Sequence, residues 1–167
     1  LYLDYVLGIT KGYTTRVGSG PFPTELDCEV GAHLAEKGHE FGATTGRPRR
    51  CGWIDIPLLR YAIRLNGVTD LIMTKADVLS GMESIQVAEN YRLADGSLTQ
   101  EPPFRLEDEN FSLDLKAIKG WKEDITGLVQ GDTVPEDLST YISYLEKVLV
   151  DTTAVMGGCD FNGFRVI

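Results

Sequence analysis

Cysteine is scarce, long apolar runs are missing, and positive charge is outnumbered. The three cysteines, Cys28, Cys51 and Cys159, are an odd number at wide spacing, which fits neither a disulfide framework nor a zinc site. Reduced thiols in a reducing compartment are the simpler account, so a cytoplasmic location is expected. No stretch reaches the roughly 20 apolar residues of a membrane-spanning helix, and residues Leu1 to Val6 lack the basic start and cleavage pattern of a signal peptide. Lysine and arginine number 16 against 25 aspartates and glutamates. That balance argues against a nucleic-acid surface, because phosphate backbones reward clustered positive charge. Any anion held by this protein must be held by a local site.

What is present is the composition of a globular protein: 167 residues, 43 % of them hydrophobic, suffice for one domain with a core. The chain opens without Met in a strand-like run and ends strand-like at Phe164-Arg165-Val166-Ile167, as expected of a segment of a longer protein.

β-Branched and aromatic residues predict a strand over Tyr5 to Thr15, entering a loop at Val17-Gly18-Ser19-Gly20-Pro21-Phe22-Pro23. Leu26, Val30 and Leu34 recur at helical spacing, which predicts a helix from Thr24, as cap, to Lys37, with Gly38 as the stop. Glu40 to Trp53 has neither period and reads as a loop. Asp55 is expected to cap a helix over Ile56 to Leu65, with Leu59 and Ile63 on its inner face and Asn66-Gly67 ending it. A short apolar strand, Leu71-Ile72-Met73, then runs into Thr74-Lys75-Ala76-Asp77. Ser84 to Leu93 alternates as a strand, Asp95-Gly96 is a turn, and Gln100 to Asn110 is a polar connection. Glu136 to Val150 predicts a helix buried along Leu138, Ile142, Leu145 and Leu149. Helices alternating with short apolar strands give an α/β class with an antiparallel addition.

Two features carry chemistry. Arg47, Arg49 and Arg50 fall within four residues of an otherwise acidic chain, between glycines at 42, 46 and 52 and after Thr44-Thr45. Pliable backbone, hydroxyls and guanidinium forks together suit a carboxylate or a phosphate, and the composition does not choose between them. The bland alternative is a solvated turn whose arginines pair with surface acids. The second feature is Lys75-x-Asp77 at the carboxyl end of an apolar strand, where ligands collect in open α/β sheets. Asp77 can accept the paired N–H donors of guanine, which adenine lacks, while the Lys75 stem covers the base. Alternatively, Asp77 caps a helix from Val78 onward.

The strings Thr14-Thr15-Arg16-Val17-Gly18-Ser19-Gly20-Pro21-Phe22-Pro23-Thr24-Glu25 and Glu40-Phe41-Gly42-Ala43-Thr44-Thr45-Gly46-Arg47-Pro48-Arg49-Arg50-Cys51-Gly52-Trp53-Ile54-Asp55 resemble the adenylosuccinate synthetase family in order and spacing. The resemblance is dense from Asp4 to about Tyr91 and thins beyond. It implies the carboxyl-terminal portion of a GTP-dependent ligase that joins IMP to L-aspartate, over residues 1–167 as a single region. It also implies the C-terminal part of a P-loop GTPase-like sheet with flanking helices. By that match Ala43, Thr44, Thr45, Gly46, Arg47 and Arg49 form the aspartate loop. Arg47 bridges IMP and aspartate as the catalytic arginine, Arg49 also serves the GTP side, and the Val17 backbone meets the IMP ribose. Lys75 and Asp77 match the guanine-recognition pair.

The same resemblance implies Mg²⁺ with ligands in the amino-terminal part, GTP as co-substrate, a homodimer, and no nucleic-acid or membrane partner. The family's phosphate-cradling loop and its catalytic Asp and His belong to a region these residues do not include. His33 and His39 match no catalytic position and are expected at the surface. Where the family has Ser-Thr-Gly-Pro beside guanine, this chain reads Met156-Gly157-Gly158-Cys159-Asp160, so no contact is assigned there. A non-catalytic nucleotide- or carboxylate-binding remnant is the competing expectation.

Overall fold

A computed structural model describes residues 4–44, 46–107, 110–129, 132–150 and 163–166. In chain order its elements are β1 (Leu7–Lys11), β2 (Thr14–Arg16), α1 (Glu29–Lys37), β3 (Arg50–Gly52), β4 (Ile54–Asp55) and α2 (Ile56–Asn66). There follow β5 (Asp70–Thr74), a one-turn 3-10 helix (Ala76–Leu79), β6 (Ser84–Leu93), β7 (Leu98–Thr99), β8 (Phe111–Lys119), α3 (Glu136–Val150) and β9 (Gly163–Val166). The class is mixed α/β, and the chain divides into two compact units, 1–12 with 58–85 and 118–167, and 13–57 with 86–117.

The first unit is built on a parallel sheet in the order β1-β5-β9, with Leu7 opposite Asp70 and Lys11 opposite Thr74. Alternation along β5 buries Leu71 and Met73. In α3 Leu138, Tyr141, Leu145 and Leu149 are all buried, so the inner stripe takes Tyr141 where Ile142 is expected from spacing. The correction has a polar cause: the Tyr141 hydroxyl donates to the Gly12 carbonyl at 3.0 Å, and its ring packs on buried Trp121. Burial holds the Tyr141 phenol un-ionised well above its ordinary range. In α2 the inner face holds Ile63 and, unexpectedly, Arg60, which is 5 % exposed. Its Nε donates to the Val148 carbonyl at 2.7 Å and its Nη2 bonds the same oxygen. A cation thus meets a carbonyl in the last turn of α3, where the helix dipole is negative. Gly67, at φ +60°, ends α2 as expected.

In the second unit β2 pairs antiparallel with β3, β4 pairs parallel with β6, and β6 pairs with β7 and β8. The Asp95-Gly96 turn returns β6 into β7, with Gly96 at φ +84°. Tyr91 of β6 donates to the Asp55 carboxylate at 2.6 Å, and its ring meets Phe111 edge-on. Burial first, and then the Asp55 charge, push the Tyr91 phenol far above its usual range.

Three further expectations needed correction. The strand over Tyr5 to Thr15 breaks at Gly12-Tyr13 into β1 and β2, which belong to different sheets. The helix expected from Thr24 starts at Glu29, with Cys28 as its N-cap. Residues 24–26 are drawn instead to residues 50–53: Trp53 N donates to the Thr24 carbonyl at 3.1 Å and Leu26 N to the Cys51 carbonyl at 2.9 Å. The loop expected over Glu40 to Trp53 contains β3 and an antiparallel bridge between Phe41 and Pro48, so it is a hairpin with an irregular tip.

Candidate functional site

The hairpin tip is closed by its own backbone. Gly42 N donates to the Arg47 carbonyl at 2.9 Å and Gly46 N to the Gly42 carbonyl at 2.8 Å. Gly46 stands at φ +63°, which an L side chain adopts only with strain, so the tip requires glycine for conformation. Ala43, Thr44, Gly46 and Arg47 are exposed there, whereas Arg49 is half-buried on the returning limb. Thr45 lies outside the described residues.

The three arginines separate by partner. Arg50 lies fork to fork on Glu25, with Nε to Oε1 at 2.6 Å and Nη2 to Oε2 at 2.5 Å. Its Nη1 reaches the carbonyls of Gly18 at 3.0 Å and Gly20 at 2.7 Å, and the guanidinium sits 5.5 Å from the Phe22 ring centre. Arg50 is therefore a strut that ties the loop starting at Val17 to the arginine hairpin. Its hydrogen bond to Glu25 holds that carboxyl below the usual range, and Glu25 in turn raises the guanidinium. Val17 is exposed beside this strut.

Arg49 is held differently. Its Nη1 donates to Glu40 Oε2 at 2.8 Å, and Glu40, fully buried, also accepts the Tyr13 hydroxyl at 2.6 Å. A buried carboxylate of this kind persists only with a countercharge and hydrogen bonds. Arg49 and Arg50 thus do pair with acids, as the solvated-turn alternative had it, but Glu40 is an interior group rather than a surface one. Glu40, Tyr13 and Glu25 were missed by sequence reasoning. A lone acid beside Phe41 and a tyrosine 27 residues upstream leave no periodic signal.

At the other candidate site β5 ends at Thr74, whose Oγ1 donates to the Thr10 carbonyl at 3.1 Å. Lys75 follows at φ 57° and ψ 30°, in left-handed backbone. That region costs a residue with a Cβ about 1–2 kcal/mol, and such strain collects at functional positions. Asp77 sits inside the 3-10 turn rather than before it, and the turn's N-cap is Lys75 with no side-chain capping bond. The helix-cap alternative for Asp77 therefore fails, and its half-exposed carboxylate stays at the strand end.

His33 and His39 are both exposed. Among the described residues, no group of three or more His, Cys, Asp and Glu side chains is placed to hold a metal ion, and no helix is long and apolar enough to cross a membrane. Residues 156–160 lie outside the described residues.

The family model described as adenylosuccinate synthetase matches residues 1–159. The adenylosuccinate synthetase of Hahella chejuensis is 52 % identical over 148 residues, covering 88 % of this chain and 34 % of that protein. That of Alteromonas mediterranea is 47 % identical over 164 residues, covering 97 % and 38 %. A solved structure of fully ligated adenylosuccinate synthetase from Plasmodium falciparum superposes with a TM-score of 0.82 at 44 % identity, covering 88 % of this chain and 36 % of that one. The chain spans about a third of the length of these relatives. With a family model matched across nearly its whole length, the chain belongs to the adenylosuccinate synthetase family.

Proposed function

We propose that these residues supply the dicarboxylate-gripping loop and the guanine-reading strand end of a GTP-dependent ligase that joins IMP to L-aspartate. The observation that carries the reading is the arginine hairpin: a tip closed on Gly42 and Gly46, with Arg47 exposed at it and Arg49 anchored from within on buried Glu40. Thr44, Thr45 and the Ala43–Gly46 backbone hold the aspartate carboxylate, Arg47 spans IMP and aspartate, and Arg49 serves aspartate and the GTP side. Val17, tethered to the hairpin through Arg50, meets the IMP ribose by its backbone. Lys75 covers the guanine and Asp77 accepts its two N–H donors.

Charge moves onto phosphoryl oxygens during transfer, and fixed cations directed at it lower the barrier. When bound, Mg²⁺ would neutralise phosphate charge, and its ligands, like the phosphate loop and the catalytic acid and base, would come from the remaining two-thirds of the synthetase length. The parallel sheet β1-β5-β9 is, in this reading, the carboxyl-terminal part of a P-loop GTPase-like sheet in a cytoplasmic homodimer.

Assays of GTP-, IMP- and aspartate-dependent product formation test this division of labour. The isolated 167 residues are expected to give no turnover, and full-length synthetase carrying Arg47→Leu is expected to lose activity while still folding. Robust turnover by the isolated chain, or wild-type activity in the Arg47→Leu enzyme, would sink the proposal.

A further inference from the structure

Glu40 is a fully buried acid of the second unit, and nothing in the substrate assignment uses it. Four bonds define its place. Its backbone N donates to the Ala35 carbonyl at 2.8 Å, against the end of α1, and its own carbonyl accepts Arg49 N at 2.8 Å. Oε1 accepts the Tyr13 hydroxyl at 2.6 Å, and Oε2 accepts Arg49 Nη1 at 2.8 Å. Glu40 thus binds Arg49 through both main chain and side chain. Tyr13 is 2 % exposed and Glu40 is fully buried, so both groups were removed from water to make this contact.

The chemistry of the arrangement is directional. A guanidinium presents donors along more than one edge, and a carboxylate fixed on one edge sets the plane in which the others lie. Arg49 itself is only half-buried, with about a third of its side chain accessible, so one side of the fork is held inside while the rest meets solvent at the hairpin. A free arginine at such a position would have to lose its rotamer freedom when a ligand arrives. Here the folded protein has already confined it.

Resting on the assignment of Arg49 to the substrate site, we propose that Glu40 is a positioning residue. Its buried carboxylate, fixed by the Tyr13 hydroxyl, orients the Arg49 guanidinium for an anionic substrate group, and Glu40 touches no substrate itself. The shared chemistry of that group is a carboxylate or a phosphate, and kinetics with aspartate and GTP varied separately tell which.

The test is a double-mutant cycle in the full-length synthetase, with Arg49→Ala, Glu40→Gln and their combination, and a parallel cycle with Tyr13→Phe. Glu40→Gln keeps the size and an acceptor for Tyr13 but removes the charge. In the wild-type background Glu40→Gln is expected to lower kcat/KM for the anionic substrate by about ten- to a hundredfold, the scale of a ~1 Å misplacement. The loss falls on KM more than on kcat, and Tyr13→Phe gives a smaller loss of the same kind. In the Arg49→Ala background neither change costs anything further, because there is no guanidinium left to orient. Losses that multiply with Arg49→Ala would mean that Glu40 acts through general stability, and the inference would be overturned while the substrate reading stands. Unchanged kinetics in Arg49→Ala alone would overturn the substrate reading, and this inference with it.

Discussion

The Tyr13 hydroxyl occupies the space in which a side chain on residue 38 would begin. A Cβ on Gly38 would lie 2.2 Å from that oxygen and 2.6 Å from the Leu34 carbonyl. Gly38 stands at φ −79°, a value open to any residue, so close approach, rather than backbone conformation, demands glycine here. Gly38→Ala is expected to displace Tyr13, loosen Glu40 and destabilise the fold by about 1–3 kcal/mol, the scale of overpacking. A thermal midpoint indistinguishable from wild type in the full-length protein would contradict this.

Glu25 and Arg50 make stability depend on acid. The folded carboxyl is held below its ordinary range, chiefly by the hydrogen bond from Arg50. A depressed carboxyl contributes stability above the unfolded pKa, and that contribution disappears as pH falls through the folded value. The thermal midpoint of Glu25→Gln is therefore expected to lie below wild type at neutral pH and to converge on it in acid, below about pH 4. Since both side chains are about a third exposed, added salt should also narrow the gap. A gap that widens on acidification would show that the pair is not the source.

Lys75 carries backbone strain that glycine would relieve. Lys75→Gly removes about 1–2 kcal/mol of left-handed strain and returns about 0.5–1 kcal/mol as chain entropy. Fold stability should hold or rise slightly, while the KM for GTP rises with loss of the stem over the base. Lower stability at unchanged KM would assign Lys75 a structural task instead.

Asp77→Asn replaces an acceptor-only carboxylate with an amide. Discrimination between GTP and ATP is expected to shrink, with a loss of about 1–3 kcal/mol when a charge-assisted pair becomes neutral. Competition assays of GTP against ATP measure it directly, and ITP, which lacks the exocyclic amino group, isolates the share of that donor. Unchanged GTP selectivity would remove this role from Asp77.

Arg60→Met tests the link between α2 and α3. It leaves the Val148 carbonyl without its buried donor, at an expected cost of about 1–3 kcal/mol, offset in part by the apolar replacement. Amide exchange in the last turn of α3 should accelerate, and exchange confined to other segments would count against the link.

How far the sequence could be read depended on whether the signal was local. Strand β6 and helix α3 lie where alternation and a helical stripe put them, and the Asp95-Gly96 turn returns its strand. These patterns repeat over short distances and need no distant partner. The α1 start was misplaced because Glu25 answers to Arg50, 25 residues away, and not to its helical neighbours. Likewise, the strand expected over Tyr5 to Thr15 could not show its break, since its two halves pair with different strands far along the chain, β1 with β5 and β2 with β3.

Composition and motif order alone determined that this chain carries an arginine-rich segment between glycines and a Lys-x-Asp pair after an apolar strand, because residue types carry their donors and charges wherever they fold. Only tertiary structure decided which arginine does what: Arg50 bound to Glu25 as a strut, Arg49 half-held on Glu40, Arg47 exposed at the tip. The physical reason is that a guanidinium's task is set by the carboxylate that reaches it first. That carboxylate comes from a part of the chain brought near by backbone pairing, which one-dimensional spacing does not encode.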